Sequence, residues 1–316
     1  MPIRFLDMFA GIGGFRSGLE RLGGFECVGY CEIDKYAEKS YRALFDTKGE
    51  WFCEDIRKAD TGSMPAFELL CGGFPCQSFS IAGSRHGFAD PRGTLFFELA
   101  RVAEARKPPY LLFENVPGLL NHDGGRTFAA ILDTLDGLGY GVEWQVLNSK
   151  DFGVPQNRER VFVIGHLRGT GSRKIFPIRD GSKKAFKEEC QISKTLARRN
   201  YTAYSEGTYI NECIQIIGGS QGNRVYDPRG ISVTLSSQGG GQGAKTGLYA
   251  IPNPKPDGTL EYYIRKLTPK ECFRLQGFPD EYFERARAVN SDSQLYKQAG
   301  NSVTVNVIYE IARRLT

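Results

Sequence analysis

Along the first 165 residues, short apolar runs take turns with longer stretches of helical period. Residues 3–9 (IRFLDMF) read as a strand, Gly11 to Gly14 as a turn, and 15–23 as an amphipathic helix closed by Gly23. The same alternation returns as a strand at 25–32, a helix at 34–45, a strand at 67–73 and a helix at 93–108 stopped by Pro108. A strand at 110–116 and a helix at 126–139 continue it, and strands at 142–149 and 159–167 read as a closing antiparallel pair. Strands separated by helices of this length predict an α/β fold, a mainly parallel sheet with helices on both faces.

Beyond about residue 168 the periodicity fades. Residues 214–251 are rich in Gly and Ser around short strand-like pieces at 214–219, 224–227, 231–237 and 247–251, which predicts a small, irregular β-rich domain whose loops carry its function. The Pro and Gly content of 253–263 reads as a linker. Thr268 and Pro269 then open a helix as N-cap and first position. A last amphipathic helix, 305–315, is too short to stand alone and is expected to pack back on the first domain. Asn301 or Ser302 reads as its cap.

Composition narrows the possibilities. The chain has 316 residues, 41% of them hydrophobic, enough for a real core, and no apolar run long enough to span a bilayer. The start MPIRFLDMF has no signal-peptide pattern, so a cytoplasmic chain is expected. Eight cysteines are scattered without a CxxC pair and only three histidines are present, so no zinc-ligand spacing exists and no metal is expected. The net charge of +5 is uneven: residues 151–200 hold twelve Lys and Arg against five Asp and Glu. A basic stripe of this kind suits either a polyanionic partner or a solvated face.

Candidate chemistry gathers at predicted strand ends. Cys76 follows Gly72-Gly73-Phe74-Pro75, and Glu114 ends a central strand. In open α/β sheets ligands bind at the carboxyl ends of strands, and a thiol with a poised carboxyl in one cleft forms a covalent-catalysis pair. The plain alternative for the thiol is a small buried hydrophobe. Arg158 and Arg160 stand two apart at a strand start, so alternation sends both to one face, where guanidinium pairs bind carboxylate, phosphate or a carbonyl-rich base. Phe9, Gly11 and Gly13 follow the first strand and open its helix, where glycines admit a ligand to the backbone. Glu32 is well placed for two ribose hydroxyls and Asp55 for an adenine amino group, which together suggest an adenosine-containing cofactor; either acid alone also reads as a surface residue.

Nine stretches, in order, are similar to the DNA (cytosine-5) methyltransferase family: DMFAGIGGF, EIDKYA, DI at 55, GGFPCQSFS, DPRGTLFFE, ENV, QNRERVFVIG, RKLTPKECFRLQGFPD and QAGNSV. They cover the chain nearly end to end, apart from about 170–262, and the likeness continues into 222–249 within the target-recognition region. The resemblance implies a Rossmann-like, S-adenosyl-L-methionine-dependent catalytic domain over 1–178, a target-recognition domain over 179–262, a hinge over 263–300 and a helix over 301–316 that returns to the catalytic domain.

The resemblance also implies roles. Cys76 adds to cytosine C6, Glu114 holds N3 and the exocyclic amine, Arg158 contacts O2, and Arg160 belongs to the same catalytic set. Phe9, Gly11, Gly13, Glu32, Ile33, Asp55, Ile56, Pro75, Leu95 and Asn301 border the cofactor. Ile33 stands where the family often has Trp, so adenine stacking is weaker or shared with Phe9. Residues 78–94 form a closing loop. Gln77, Ser80, Arg92, Gln221, Arg224, Tyr226, Thr234, Leu235 and Gly240 meet double-stranded DNA, from which the target cytosine is flipped. The implied target is a short G·C-rich palindrome of the GCGC type, read by a monomer with no membrane attachment, alone or beside a companion restriction endonuclease. A related RNA (cytosine-5) methyltransferase, a catalytically idle DNA-binding protein and a nicotinamide dehydrogenase are the competing readings.

Overall fold

The computed structural model describes residues 1–75, 95–171, 174–178, 213–218, 223–228, 230–236 and 247–316. Its larger sheet is built from β1 (Ile3–Met8), β2 (Phe25–Cys31), β3 (Trp51–Cys53), β4 (Leu69–Gly73), β5 (Tyr110–Asn115), β6 (Tyr140–Asn148) and β7 (Glu159–Leu167), in the order β3-β2-β1-β4-β5-β7-β6. Strands β1 to β5 are mutually parallel where they pair, and β7 runs antiparallel to both β5 and β6. The order reverses beside β1, so the crevice at the carboxyl ends of β1 and β4 is a topological switch point.

Alternation along β1 decides the packing of both faces. Leu6 and Met8 enter a core with α3 (Leu95–Arg106) and α5 (Arg126–Gly137), the latter preceded by the single turn α4 (Gly118–Asn121). Phe5 points the other way, into a core with Phe15 and Leu19 of α1 (Gly14–Leu22) and Ile308 and Ile311 of the last helix, α9 (Val305–Leu315). The close approach of α1 and α9 needs Gly18, where a Cβ would lie 2.5 Å from Ile308. Helix α9 thus packs, with α1, on one face of this sheet. Among the described residues, no helix is long and apolar enough to cross a membrane.

A third core joins α2 (Lys35–Leu44) to α6 (Pro269–Leu275), α7 (Asp280–Arg287) and α8 (Asp292–Asn301) through Tyr41, Phe45, Phe273, Phe278 and Leu295. Asp34 caps α2 by accepting from the Tyr36 and Ala37 amides, and Thr268 with Glu271 forms a capping box at α6. The capping expectation at 301–302 is corrected. Asn301 is the last residue of α8, and the residue before α9 is Thr304, whose hydroxyl bonds Gln276 Oε1 rather than the helix.

The second sheet is small, β8 (Gln215–Ile217), β9 (Val225–Tyr226), β10 (Leu248–Pro254) and β11 (Leu260–Arg265), in the order β11-β10-β9-β8. The linker expected over 253–263 is corrected to a hairpin, β10 pairing antiparallel with β11. Its Pro-Asp-Gly content makes the tip, closed by Gly258 at φ +82°, while the β-favouring run that follows Leu260 forms the return strand. The strand expected at 231–237 is not in this sheet. Ser232 bridges Gln156 instead, its amide donating to the Pro155 carbonyl at 2.7 Å.

Candidate active site

At the carboxyl ends of β1 to β3 lies a cavity of about 270 Å³. Phe9, Ile33, Ile56 and Leu95 supply its apolar walls, and Glu54, Asp55 and Arg57 its polar one, with Cys31 at its lining. Phe9 holds a left-handed backbone (φ 55°), a costly conformation for an aromatic residue. It starts the tight loop that leads into α1, where Gly13 is also left-handed and a Cβ would strike the Phe45 ring at 2.3 Å. Glu32 directly follows β2 and fixes this loop: its Oε2 accepts the Gly11 amide at 2.7 Å and its Oε1 the Asp34 amide at 2.7 Å. Burial raises the Glu32 carboxyl above its ordinary range, against the pull of those two amides. Asp55 is gripped from the other side. The Arg57 guanidinium donates to both its oxygens and holds its carboxyl below the usual range.

Phe9, Ile33, Asp55, Ile56 and Leu95 thus meet around one cavity, while Gly11 and Glu32 brace its loop. Pro75 is exposed at the end of the segment leaving β4, and Asn301 is exposed at the end of α8. Cys31, Glu54 and Arg57 line the cavity without having been singled out by sequence. The last two flank the Asp55-Ile56 pair, and their neighbourhood was the signal available.

A second group forms one strand further along. Gly73 of β4 pairs in register with Glu114 of β5, and a Cβ at Gly73 would stand 3.0 Å from Glu114 Oε2, so glycine clears room for the carboxylate. Arg160 Nε meets Glu114 Oε1 at 2.9 Å, both side chains 14% exposed. Asn115 donates to the Phe74 carbonyl at 2.8 Å and so anchors the chain two residues before Cys76. Cys76, Gln77, Ser80 and Arg92, with the expected closing loop 78–94, lie outside the described residues, as do Gln221 and Gly240.

The expected base contact from Arg158 is corrected. Arg158 is 2% exposed, and its guanidinium donates to the carbonyls of Leu235 (3.2 Å), Gly300 (3.1 Å) and Ser302 (2.8 Å). Burial lowers its proton affinity, and among the described residues its guanidinium meets backbone carbonyls and no carboxylate. It fastens the 231–235 segment to the α8–α9 junction, while its neighbour Arg160 faces Glu114. Two DNA-facing expectations are corrected with it. Tyr226 is buried against the Tyr249 ring, and Leu235 is buried with its amide held by Gln156 Oε1 at 3.0 Å. Both apolar bodies gain more from the seam between the two sheets than from solvent. Thr234 stays at the edge of that seam, its hydroxyl donating to the Asn157 carbonyl, and Arg224 is half-buried.

The family model for C-5 cytosine-specific DNA methylase matches residues 3–316. The type II methyltransferase M.HhaI of Haemophilus parahaemolyticus is 39% identical over 321 residues, covering 98% of this chain and 93% of that protein. M.HpaII of Haemophilus parainfluenzae is 38% identical, covering 98% and 88%, and the orphan methyltransferase M.SPBetaI of Bacillus phage SPbeta is 32% identical, covering 99% and 97%. The crystal structure of the S. pombe Dnmt2 methyltransferase shares the fold, with a TM-score of 0.73 at 21% identity over 99% of this chain and 98% of that one. The cavity at the switch point, the Glu114–Arg160 pair and a family match spanning the chain converge on one conclusion: this protein belongs to the C-5 cytosine-specific DNA methylases and is a DNA (cytosine-5-)-methyltransferase.

Proposed function

We propose that the chain methylates C5 of a cytosine flipped out of double-stranded DNA, within a short G·C-rich site of the GCGC type, using S-adenosyl-L-methionine. The observation that carries this reading is the Glu114–Arg160 pair beside Gly73, at the mouth of the segment that leads through Pro75 to Cys76. The residues present fit the cofactor: apolar walls from Phe9, Ile33, Ile56 and Leu95 suit a nucleoside, and the acids Glu54 and Asp55 suit an amino donor and a cationic sulfonium. Glu32 serves the ribose hydroxyls with the acceptor capacity left after its two amide bonds. When bound, S-adenosyl-L-methionine supplies an electrophilic methyl carbon.

The protein's own task is to make cytosine C5 a nucleophile. Cys76 thiolate adds to C6, and the ring's electrons move toward N3. Glu114 meets that change by protonating N3 and by accepting from the exocyclic amine. Arg160 orients the Glu114 carboxyl and donates to O2, the role reassigned from Arg158. Arg158 acts at a distance, holding the 231–235 segment against the catalytic sheet. Loss of the C5 proton to water, expulsion of the Cys76 thiolate and return of the N3 proton to Glu114 restore aromaticity and the starting enzyme. A stacked base presents neither face, so extrusion from the duplex precedes addition.

The test is transfer of a labelled methyl group from S-adenosyl-L-methionine to mixed-sequence duplex DNA, with tRNA in parallel and Cys76→Ser as control. Label recovered as 5-methylcytosine in DNA, absent with Cys76→Ser, is the expected result. Label in tRNA alone would replace this reading with the RNA enzyme.

A further inference from the structure

The thiol at the lining of the cavity, Cys31, has a second thiol beside it. Parallel pairing of β2 with β3 sets Cys31 in register with Cys53, each the last residue of its strand. Neighbouring strands stand about 4.8 Å apart, within the separation of roughly 4.4–6.8 Å between Cα atoms that a disulfide spans. Each of the two thiols is free, and the pair lies close enough for Cys53 to raise the Cys31 thiol further than burial alone. Cys31 is 2% exposed yet lines the cavity, and Cys53 is half-buried. Their backbones and side chains also hold the cavity together. The Ala10 amide donates to the Cys31 carbonyl (3.0 Å), the Glu32 amide to the Cys53 carbonyl (3.3 Å), and Cys53 Sγ to the Asp55 carbonyl (3.2 Å).

We propose that Cys31 and Cys53 are a redox modification site, which a hydroperoxide converts to an intramolecular disulfide that weakens cofactor binding. The sulfur of Cys53 attacks the peroxide O–O bond and becomes a sulfenic acid, releasing one water when the oxidant is hydrogen peroxide. The sulfur of Cys31 then displaces that hydroxyl as a second water, and the S–S bond forms. Two thiols give up two electrons and two protons, and the peroxide takes both. Burial pushes the Cys31 thiol up, which makes the more accessible Cys53 the attacking sulfur. A dithiol reductant reverses the reaction.

The consequence for binding follows from what each sulfur held. Cys53 without its proton no longer donates to the Asp55 carbonyl, so the Asp55-Ile56 wall of the cavity loses an anchor. Cys31 is drawn from the lining toward β3. This effect on cofactor rests on the proposed assignment of the cavity; formation of the disulfide does not.

The experiment uses the full chain with Cys76→Ser, so that oxidation of the nucleophile cannot contribute. After hydrogen peroxide and alkylation of free thiols, peptide mass mapping should find Cys31 linked to Cys53, reversibly with dithiothreitol. Calorimetry should find S-adenosyl-L-methionine bound at least tenfold more weakly by the oxidised protein, with affinity restored on reduction. Adding Cys53→Ser, whose hydroxyl keeps a donor for the Asp55 carbonyl, should abolish the linkage and the peroxide-dependent loss of affinity. S-adenosyl-L-methionine present during oxidation should slow the linkage. Recovery of both cysteines as free thiols or sulfinic acids would overturn the proposal, and linkage with unchanged affinity would overturn its regulatory part. Linkage in a reduced protein that binds no S-adenosyl-L-methionine at all would uphold the disulfide and overturn the cavity assignment instead.

Discussion

Replacing each of the two neighbouring arginines by alanine should separate a fastening role from a catalytic one. Arg158→Ala removes the donor to the Leu235, Gly300 and Ser302 carbonyls. Ser302 keeps a bond from Gln276 Nε2 at 3.1 Å, so two buried acceptors are orphaned. Each costs about 1–3 kcal/mol, which puts the loss at about 4 kcal/mol. Unfolding entropy of roughly 2.1 cal/mol/K per residue converts this, for a chain of 316 residues, to a fall in Tm of about 6 °C. Arg160→Ala breaks its pair with Glu114 at the edge of the cleft, where water replaces the guanidinium. Its Tm should fall by no more than about 2 °C, while single-turnover methyl transfer slows about 10²–10³-fold, the usual cost of one preorganised donor to a transition state. Thermal unfolding followed by circular dichroism, beside single-turnover transfer to duplex DNA, measures both. An Arg158→Ala protein that melts like the wild type, or an Arg160→Ala protein that retains its rate, would refute the division of labour.

Three further outcomes follow from the same geometry. Gly18→Ala forces α9 away, because the new methyl meets the Val305 carbonyl at 2.8 Å as well as Ile308; it should cost about 1–2 kcal/mol net of the better helix propensity, read from urea unfolding midpoints. Glu32→Ala leaves the Gly11 and Asp34 amides without their acceptor and should weaken S-adenosyl-L-methionine binding about 10–100-fold, with unchanged calorimetric affinity counting against the assigned cavity. Asp7 is wholly buried, and desolvation raises its carboxyl well above the ordinary value despite Arg16 nearby. Its contribution is therefore fully present below the unfolded pKa of about 4 and is lost as pH rises through the raised folded value. Asp7→Asn should remove that loss, so its stability relative to wild type should improve between pH 5 and pH 8; parallel pH profiles in urea unfolding would contradict this.

Much of the site was legible because its signals are local. A strand end is marked by the apolar run before it, so Phe9, Glu32, Asp55 and Glu114 could be placed at the carboxyl edge from sequence alone. The capping box at Thr268 is equally local, since its partner Glu271 lies three residues on. Errors fell where a residue's partner is distant in sequence. Arg158 and Arg160 look alike in QNRER, yet one is taken by carbonyls 77 and 142 or more residues away and the other by Glu114. Tyr226 and Leu235 carry side chains suited to bases as well as to a core, and the contact with Tyr249 and Gln156 decided between them.

The sequence by itself determined the alternation of strands and helices, the family and the residue types gathered at strand ends, because short-range periodicity and ordered motifs encode these directly. Tertiary structure alone decided which arginine meets Glu114, that 253–263 turns back as a hairpin rather than leading away, and that Cys31 stands beside Cys53. Each of those outcomes depends on strand register and on desolvation across elements, and neither is written in the spacing of residues along the chain.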